Sequence, residues 1–268
     1  MLDALKRIAL ELPVDVLNCA RVSGVATSAQ WVGSLVRHAG ECGKSRNLSP
    51  ADVAMGDGPF LVQRKHARAV ISGGFRLIRE IWYRDVYLKD DFLQIAPDAT
   101  VVDLGAHSGV FTLLALAHGP NVRVVSVEPN RDSNVRFEHN VALNGGQDRV
   151  QLLRAFAGGN SSVQQLLSQR PEYAGAEFPT QEELLDAYGL TKIDFLKCDI
   201  EGSEFELLHE QSPLLARTRQ LAIEVHDVVG DRREFLRRLE RCGFEIGPVR
   251  HSPGDCVALA RRVREQSV

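Results

Sequence analysis

From Thr100 onward, short runs rich in β-branched residues alternate with stretches whose apolar positions recur every three or four residues. That alternation predicts strands at Thr100 to Leu104, Val122 to Glu128, Val150 to Ala155, Ile193 to Ile200, Leu221 to His226, Phe244 to Val249 and Cys256 to Ala260. Helices are predicted between them, near 109–118, 131–144, 181–188, 203–210 and 231–242. Two of these carry start signals. Thr180 with Glu183, and Asp231 with Glu234, each pair an N-cap with a carboxylate three residues on that can bond back. Gly243 stands where a helix-ending glycine belongs. Strand and helix in alternation specify βαβ units and a parallel sheet. Only Arg250 to Asp255, including Pro253 and Gly254, separates the last two strands, whereas a parallel crossover needs about a dozen residues. The sheet must therefore end in an antiparallel hairpin. The expected fold is α/β and Rossmann-like, a seven-stranded, mostly parallel sheet with an antiparallel last strand and ligands outside the carboxyl ends of its strands.

Residues 1–65 have a different texture. Leu5, Ile8, Ala9 and Leu12 fall at helical spacing before Pro13, and Gly24, Gly33, Gly40, Gly43, Gly56 and Gly58 then interrupt a weakly periodic stretch. The reading is a partly helical N-terminal appendage, for packing or dimerisation, ahead of a main domain over residues 66–268; homo-oligomer formation stays open. The apolar run Leu113 to Ala117 falls far short of the roughly 18 residues of a membrane span. Lys6 and Arg7 are followed by Glu11 and Pro13 rather than a secretory apolar core, so the cytoplasm is the expected compartment. A net charge of −3 argues against a nucleic-acid partner, and Cys19, Cys42, Cys198, Cys242 and Cys256 form no C-x-x-C pair that would mark a zinc site.

The chemistry concentrates at predicted strand ends. Strand Thr100–Leu104 runs into Asp103, Leu104, Gly105, Ala106, His107, Ser108 and Gly109, a glycine turn that opens a helix and suits a nucleotide-like ligand. Glu128, followed by Pro129 and Asn130, ends the next strand nineteen positions beyond Gly109, where a carboxylate can accept both hydroxyls of a ribose. The loop lacks the third glycine of a pyrophosphate-binding fingerprint and has an acid just before it, which suits a cationic ligand such as S-adenosylmethionine better than NAD. Alternation places Lys197, Asp199 and Glu201 on one face, and Glu224 and His226 end the following strand. Asp199, Glu201, Glu224 and His226 converge if those strands are neighbours. His226 could then remove a proton from a hydroxyl; carboxylates with one histidine could also hold a divalent metal, but no spacing rule marks such a site, and no metal is assigned.

With these motifs the chain resembles the FkbM family of S-adenosylmethionine-dependent methyltransferases. The resemblance spans about residues 75–262. It rests on Glu80 to Tyr87 (EIWYRDVY), Asp103 to Gly109 (DLGAHSG), Glu128 to Asn130, the Asn140 and Asn144 pair, Ile193 to Glu204 (IDFLKCDIEGSE) and Glu224 to His226. It implies S-adenosylmethionine contact by Asp103, Gly105, Gly109 and Glu128, with Asp199 and Glu201 near the methyl group and the acceptor. Ala106, His107, Ser108, Pro129 and Asn130 complete the candidate cofactor-binding set. His107 stands where the family commonly has Asn. No acid follows the third strand, which leaves adenine to backbone groups and Phe156. The implied reaction is O-methylation of a small-molecule hydroxyl or carboxylate, with Asp199, Glu201 and His226 as catalytic residues. The alternatives are an NAD-dependent oxidoreductase, a non-catalytic cofactor-binding protein, and an RNA methyltransferase, the last disfavoured by the charge.

Overall fold

A computed structural model describes residues 2–157, 161–227, 229–252 and 254–263. The N-terminal part runs through α1 (Leu2–Arg37), α2 (Ala39–Ser45), α3 (Ser49–Val53), β1 (Phe60–Arg64), β2 (Ala67–Ile71) and α4 (Phe75–Ile78), then a π-helical turn at Arg79–Tyr83. There follow β3 (Thr100–Leu104), α5 (Val110–Leu116), β4 (Arg123–Val127), α6 (Arg131–Leu143), β5 (Val150–Leu153), α7 (Ser162–Ser168) and α8 (Gln181–Ala187). The chain closes with β6 (Phe195–Cys198), α9 (Glu204–Leu207), α10 (Pro213–Arg217), β7 (Gln220–His226), α11 (Arg232–Arg241), β8 (Phe244–Ser252) and β9 (Asp255–Arg262).

All seven predicted strands form, in one sheet of order β5-β4-β3-β6-β7-β9-β8. Neighbours from β5 to β7 are parallel, and β9 lies antiparallel to both β7 and β8. The hairpin follows from its short connection, although Pro253 itself lies outside the described residues. The order reverses between β3 and β6, which opens a crevice at their carboxyl ends. Alternation along the strands feeds two cores. Val101, Val124 and Phe195 face one side of the sheet; Val102, Val125 and Leu196 face the other with Leu184, Leu215 and Phe235.

The first side is covered by the N-terminal part. Trp31, Met55, Phe60 and Phe75 join Val101 and Phe195 in one apolar cluster. Arg79 donates to Asp52 (Nη2 to Oδ2, 2.7 Å), and Arg84 Nε donates to Asp15 Oδ1 at 2.8 Å, with all four side chains buried or nearly so. The helix read before Pro13 continues through it, and the rod breaks instead at Gly24 (φ 87°). The β1–β2 hairpin pairs Phe60 with Ile71 and Arg64 with Ala67, on either side of residue 65. It was not expected, because its Lys65-His66 turn carries none of the Asn-Gly or Asp-Gly signals of tight hairpins; Lys65 itself takes the positive φ of 51°.

Two local expectations need correction. The strand read as Ile193 to Ile200 ends at Cys198, so strand alternation does not place Glu201; a left-handed turn does (φ 55°). At the start of α11, Asp231 accepts from the Arg233 amide, but Glu234 does not bond back and pairs with Arg241 instead. The reciprocal cap of Thr180 and Glu183 forms at the start of α8, and Gly243 takes φ 84° after α11.

Candidate active site

The loop after β3 is tied at both ends. The Gly105 and Ala106 amides donate to Val127 O at 2.9 and 3.1 Å, and the Gly109 amide to Ala106 O at 2.9 Å. Gly105 (φ 75°) has no room for a side chain, since a Cβ there would lie 1.7 Å from Asp199 O. The ends of β3 and β6 therefore touch through bare backbone at the switch point. Ala106 is buried against Phe137 and Val141. Ser108 is buried, and its Oγ has no hydrogen-bond partner among the described residues.

Lys197 braces this junction. Its Nζ donates to Leu104 O (3.1 Å) and Gly105 O (2.6 Å) and stands 3.2 Å from Asp103 Oδ1 and 3.9 Å from Asp199 Oδ2. Burial opposes its charge, but Asp103 and Asp199 outweigh that and hold it above the ordinary lysine value, so it remains an ammonium. Asp103 is wholly buried; its Oδ2 accepts from Thr112 Oγ1 at 2.7 Å. Its carboxylate therefore faces Lys197 and the start of α5 rather than open space, and it acts on the loop through them.

Glu128 is differently placed. One carboxylate oxygen accepts from the His107 amide and the other from the Asn130 amide, both at 2.8 Å. Burial raises its pKa while those two amides restrain the rise, and each oxygen keeps a further lone pair. Asn130 spends its side chain on capping α6, accepting from the Asp132 and Ser133 amides, while Pro129 links the two. His107 sits at φ 47°; desolvation and then the charges of Lys197 and Arg136 hold its pKa below the usual histidine value. Phe156 does lie beyond β5, but its ring is stacked on Phe178 (4.9 Å, 15°) beside Tyr173, so its face is already covered by another aromatic.

On the other side of the switch point the predicted convergence occurs. Asp199, Glu201 and His226 each offer a donor atom within 4.8 Å of the others, with His226 Nε2 3.6 Å from Glu201 Oε2. Tyr87 Oη donates to Asp199 Oδ2 at 3.4 Å. Behind them lies Glu204, fully buried. Its Oε1 accepts from the Ile200 and Gly202 amides (both 3.1 Å) and from His226 Nδ1 (3.0 Å). Burial pulls the His226 pKa down, but the Glu204 bond and charge, with Asp199 and Glu224, carry it up to about 9, so the ring holds its proton at neutral pH. Glu224 is pushed up to about 8 by burial and by Asp199. Sequence reasoning gave no role to Glu204; its position three residues after Glu201 in IDFLKCDIEGSE was the available signal.

Asn140 and Asn144 also find their roles here. One helical turn apart on α6, they face the edge of β2. Asn144 Oδ1 accepts from the Val70 amide and its Nδ2 donates to Val70 O; Asn140 makes the same two bonds to Ser72 and a third to Ser108 O. Two carboxamides thus replace a neighbouring strand and bind the hairpin to the glycine loop.

A doubly wound sheet with an antiparallel last strand, a glycine turn after its first strand and an acid ending its second define a class I methyltransferase fold. Residues 103–246, over half of the chain, match the methyltransferase FkbM domain, and the chain belongs to that family. It is a methyltransferase that uses S-adenosylmethionine. The 31-O-demethyl-FK506 methyltransferase FkbM of Streptomyces tacrolimicus is 28% identical over 213 residues, an alignment covering 63% of this chain and 81% of that protein. The AMB antimetabolite synthetase AmbE of Pseudomonas aeruginosa is 27% identical over 222 residues, 63% of this chain; the chain spans only 10% of AmbE. Among solved structures, precorrin-6y C5,15-methyltransferase from Geobacter metallireducens aligns with a TM-score of 0.44 and 19% identity, covering 67% of this chain and 86% of that one. The N-terminal domain of EvdMO1 with SAH bound aligns at 0.39 and 19%, covering 62% and 75%. No helix among the described residues is long and apolar enough to cross a membrane.

Proposed function

We propose that the protein methylates an oxygen of a small molecule, a hydroxyl or a carboxylate, at the crevice between β3 and β6. The observation that carries this is the opposition of two groups across that crevice: Glu128 with the glycine loop on one side, and Asp199, Glu201 and His226 on the other. The relative from Streptomyces tacrolimicus is by its name a 31-O-demethyl-FK506 methyltransferase, which supports oxygen as the acceptor atom.

The residues present suit S-adenosylmethionine. Glu128 has lone pairs free for two ribose hydroxyls, and the buried, unpartnered Ser108 Oγ offers a polar contact on the loop. When bound, the sulfonium supplies an already activated methyl group. Asp103 steadies the loop through Lys197 and Thr112, whereas Gly105 and Gly109 shape it. The protein's remaining work is to hold the acceptor in line and to manage one proton. As the O–C bond forms and the C–S pair returns to sulfur, a hydroxyl acceptor releases its proton to Asp199. His226, protonated at neutral pH, donates to the acceptor oxygen, and Glu201 at the rim positions the acceptor. A carboxylate acceptor needs no base and pairs with His226 directly.

Incubation with methyl-labelled S-adenosylmethionine and small-molecule extracts, followed by mass detection, tests this. The expected product carries the label on oxygen, and Asp199→Asn lowers its rate by about 10²-fold or more while sparing S-adenosylhomocysteine affinity. Label on nitrogen, carbon or RNA would contradict the reading, and a hydroxyl methylated at an unimpaired rate by the variant would remove Asp199 as the base.

A further inference from the structure

The EIWYRDVY segment that precedes β3 lends the acceptor side a residue of its own. We propose that Tyr87 is a positioning residue for methyl transfer: its hydroxyl holds one oxygen of Asp199 and leaves the other turned to the acceptor. The two oxygens of that carboxylate are not equivalent. Oδ2 accepts from Tyr87 Oη at 3.4 Å and stands 3.9 Å from Lys197 Nζ. Oδ1 makes no hydrogen bond among the described residues, and the side chain keeps 25% of its surface exposed. At 3.4 Å the bond to Tyr87 is longer than the usual ~2.7–2.8 Å between two oxygens. Hydrogen bonds of catalytic groups often tighten to ordinary length once the ligands are in place.

The Tyr87 ring is fixed on several sides. It is buried and meets Phe111 of α5 edge-on (5.5 Å between centroids, 85°), and Phe111 packs on Phe195 of β6, the strand that leads to Asp199. The Lys197 ammonium lies 5.9 Å from the centre of the ring. Two residues earlier the chain turns through a positive φ of 54° at buried Asp85, whose carboxylate is held by Arg64 of β1. Burial, and after it the charges of Asp199 and Glu224, push the Tyr87 pKa well above the ordinary tyrosine value. The phenol therefore keeps its proton and meets the carboxylate as a donor. Tyr83, in the same segment and also buried, shows the plainer use of such a group: its hydroxyl shares a 2.8 Å hydrogen bond with Ser23 Oγ of α1.

The role assigned to Tyr87 rests on the reading of Asp199 as the group that takes the acceptor's proton. As the O–C bond forms and the C–S pair returns to sulfur, the hydroxyl proton passes to Asp199 Oδ1. With Oδ2 held, the lone pair of Oδ1 stays aimed at that proton; a carboxylate free to turn spends time misaligned, and a displacement of about 1 Å can cost about 10²-fold in rate. Tyr87 lies outside residues 103–246, so a side chain beyond the matched domain completes the site.

The test joins crystal structures to a double-mutant cycle, both on the full chain. Tyr87→Phe keeps the ring and removes only the hydroxyl. In crystals with S-adenosylhomocysteine, Asp199 should take one orientation in the wild type, Oδ2 toward Tyr87, and should turn or spread over several in Tyr87→Phe. With methyl-labelled S-adenosylmethionine and a hydroxyl acceptor from the extracts, Tyr87→Phe should lower kcat about tenfold and leave the acceptor KM within about twofold. Added to Asp199→Asn, it should cost less than about a further twofold, because the hydroxyl acts through that carboxylate. Tyr83→Phe should leave kcat unchanged. The same single Asp199 orientation in Tyr87→Phe, an unchanged kcat, or losses that multiply in full in the double variant would each overturn the proposal. If the wild type labels no oxygen in any extract, the methyl-transfer reading falls on that result, and the crystal comparison alone decides whether Tyr87 holds Asp199.

Discussion

His107 shows how a single residue departs from its surroundings. Its φ of 47° lies in the left-handed region, where Asn, Asp and His are the commonest residues after glycine, and its pKa is held below the usual value. A histidine whose folded pKa is lowered contributes stability above its unfolded value near 6.5, and that contribution is lost as pH falls through the lower folded value. Thermal melts between pH 7.5 and 5 should therefore show a stability loss that His107→Asn reduces. An identical pH profile for the two proteins would show that His107 is not the group responsible. At this scale the sequence was readable where chemistry follows strand alternation: Asp199 and His226 do meet. It was not readable for Glu204, whose importance depends on a histidine 22 positions away, nor for Asp103, whose acid is legible but whose burial under Lys197 is not.

Among the elements, those with a strong local signature were visible from their residues, and those completed by distant partners were not. The strands β3, β4 and β7 are rich in Val, Ile and Leu, and their positions agree with expectation to within a residue or so. The helices α7 and α10 are short, and their Ser161 and Ser212 caps went unread. The β1–β2 hairpin needs α6: its outer edge is satisfied by the carboxamides of Asn140 and Asn144 rather than by another strand. Asn140 is fully buried and serves three backbone groups, so Asn140→Ala should cost about 1–3 kcal/mol by leaving buried partners unpaired. Hydrogen exchange should locate the damage at the Ser72 amide. Unchanged protection there would mean that the hairpin edge does not depend on the clamp.

At the scale of the whole molecule, the N-terminal part packs against one side of the sheet in a shared apolar cluster. Composition and glycine spacing marked it as different, but they could not show that Asp15 and Asp52 receive Arg84 and Arg79 in a buried network, or that Phe60 and Phe75 pack beneath the sheet. Removing one carboxylate leaves buried guanidinium groups short of a partner. Asp15→Ala should lower the unfolding free energy by about 3 kcal/mol, read by urea denaturation, and a change within about 0.5 kcal/mol would show the network to be dispensable.

The same fold predicts where the cofactor is held: at the crevice where strand order reverses, gripped by Glu128. Calorimetric titration of S-adenosylhomocysteine into the wild type and Glu128→Gln tests this most directly. One molecule should bind per wild-type chain, with affinity at least about tenfold weaker in the variant and no binding of NAD by either. Equal affinity in the two proteins, in a variant that melts like the wild type, would contradict the account.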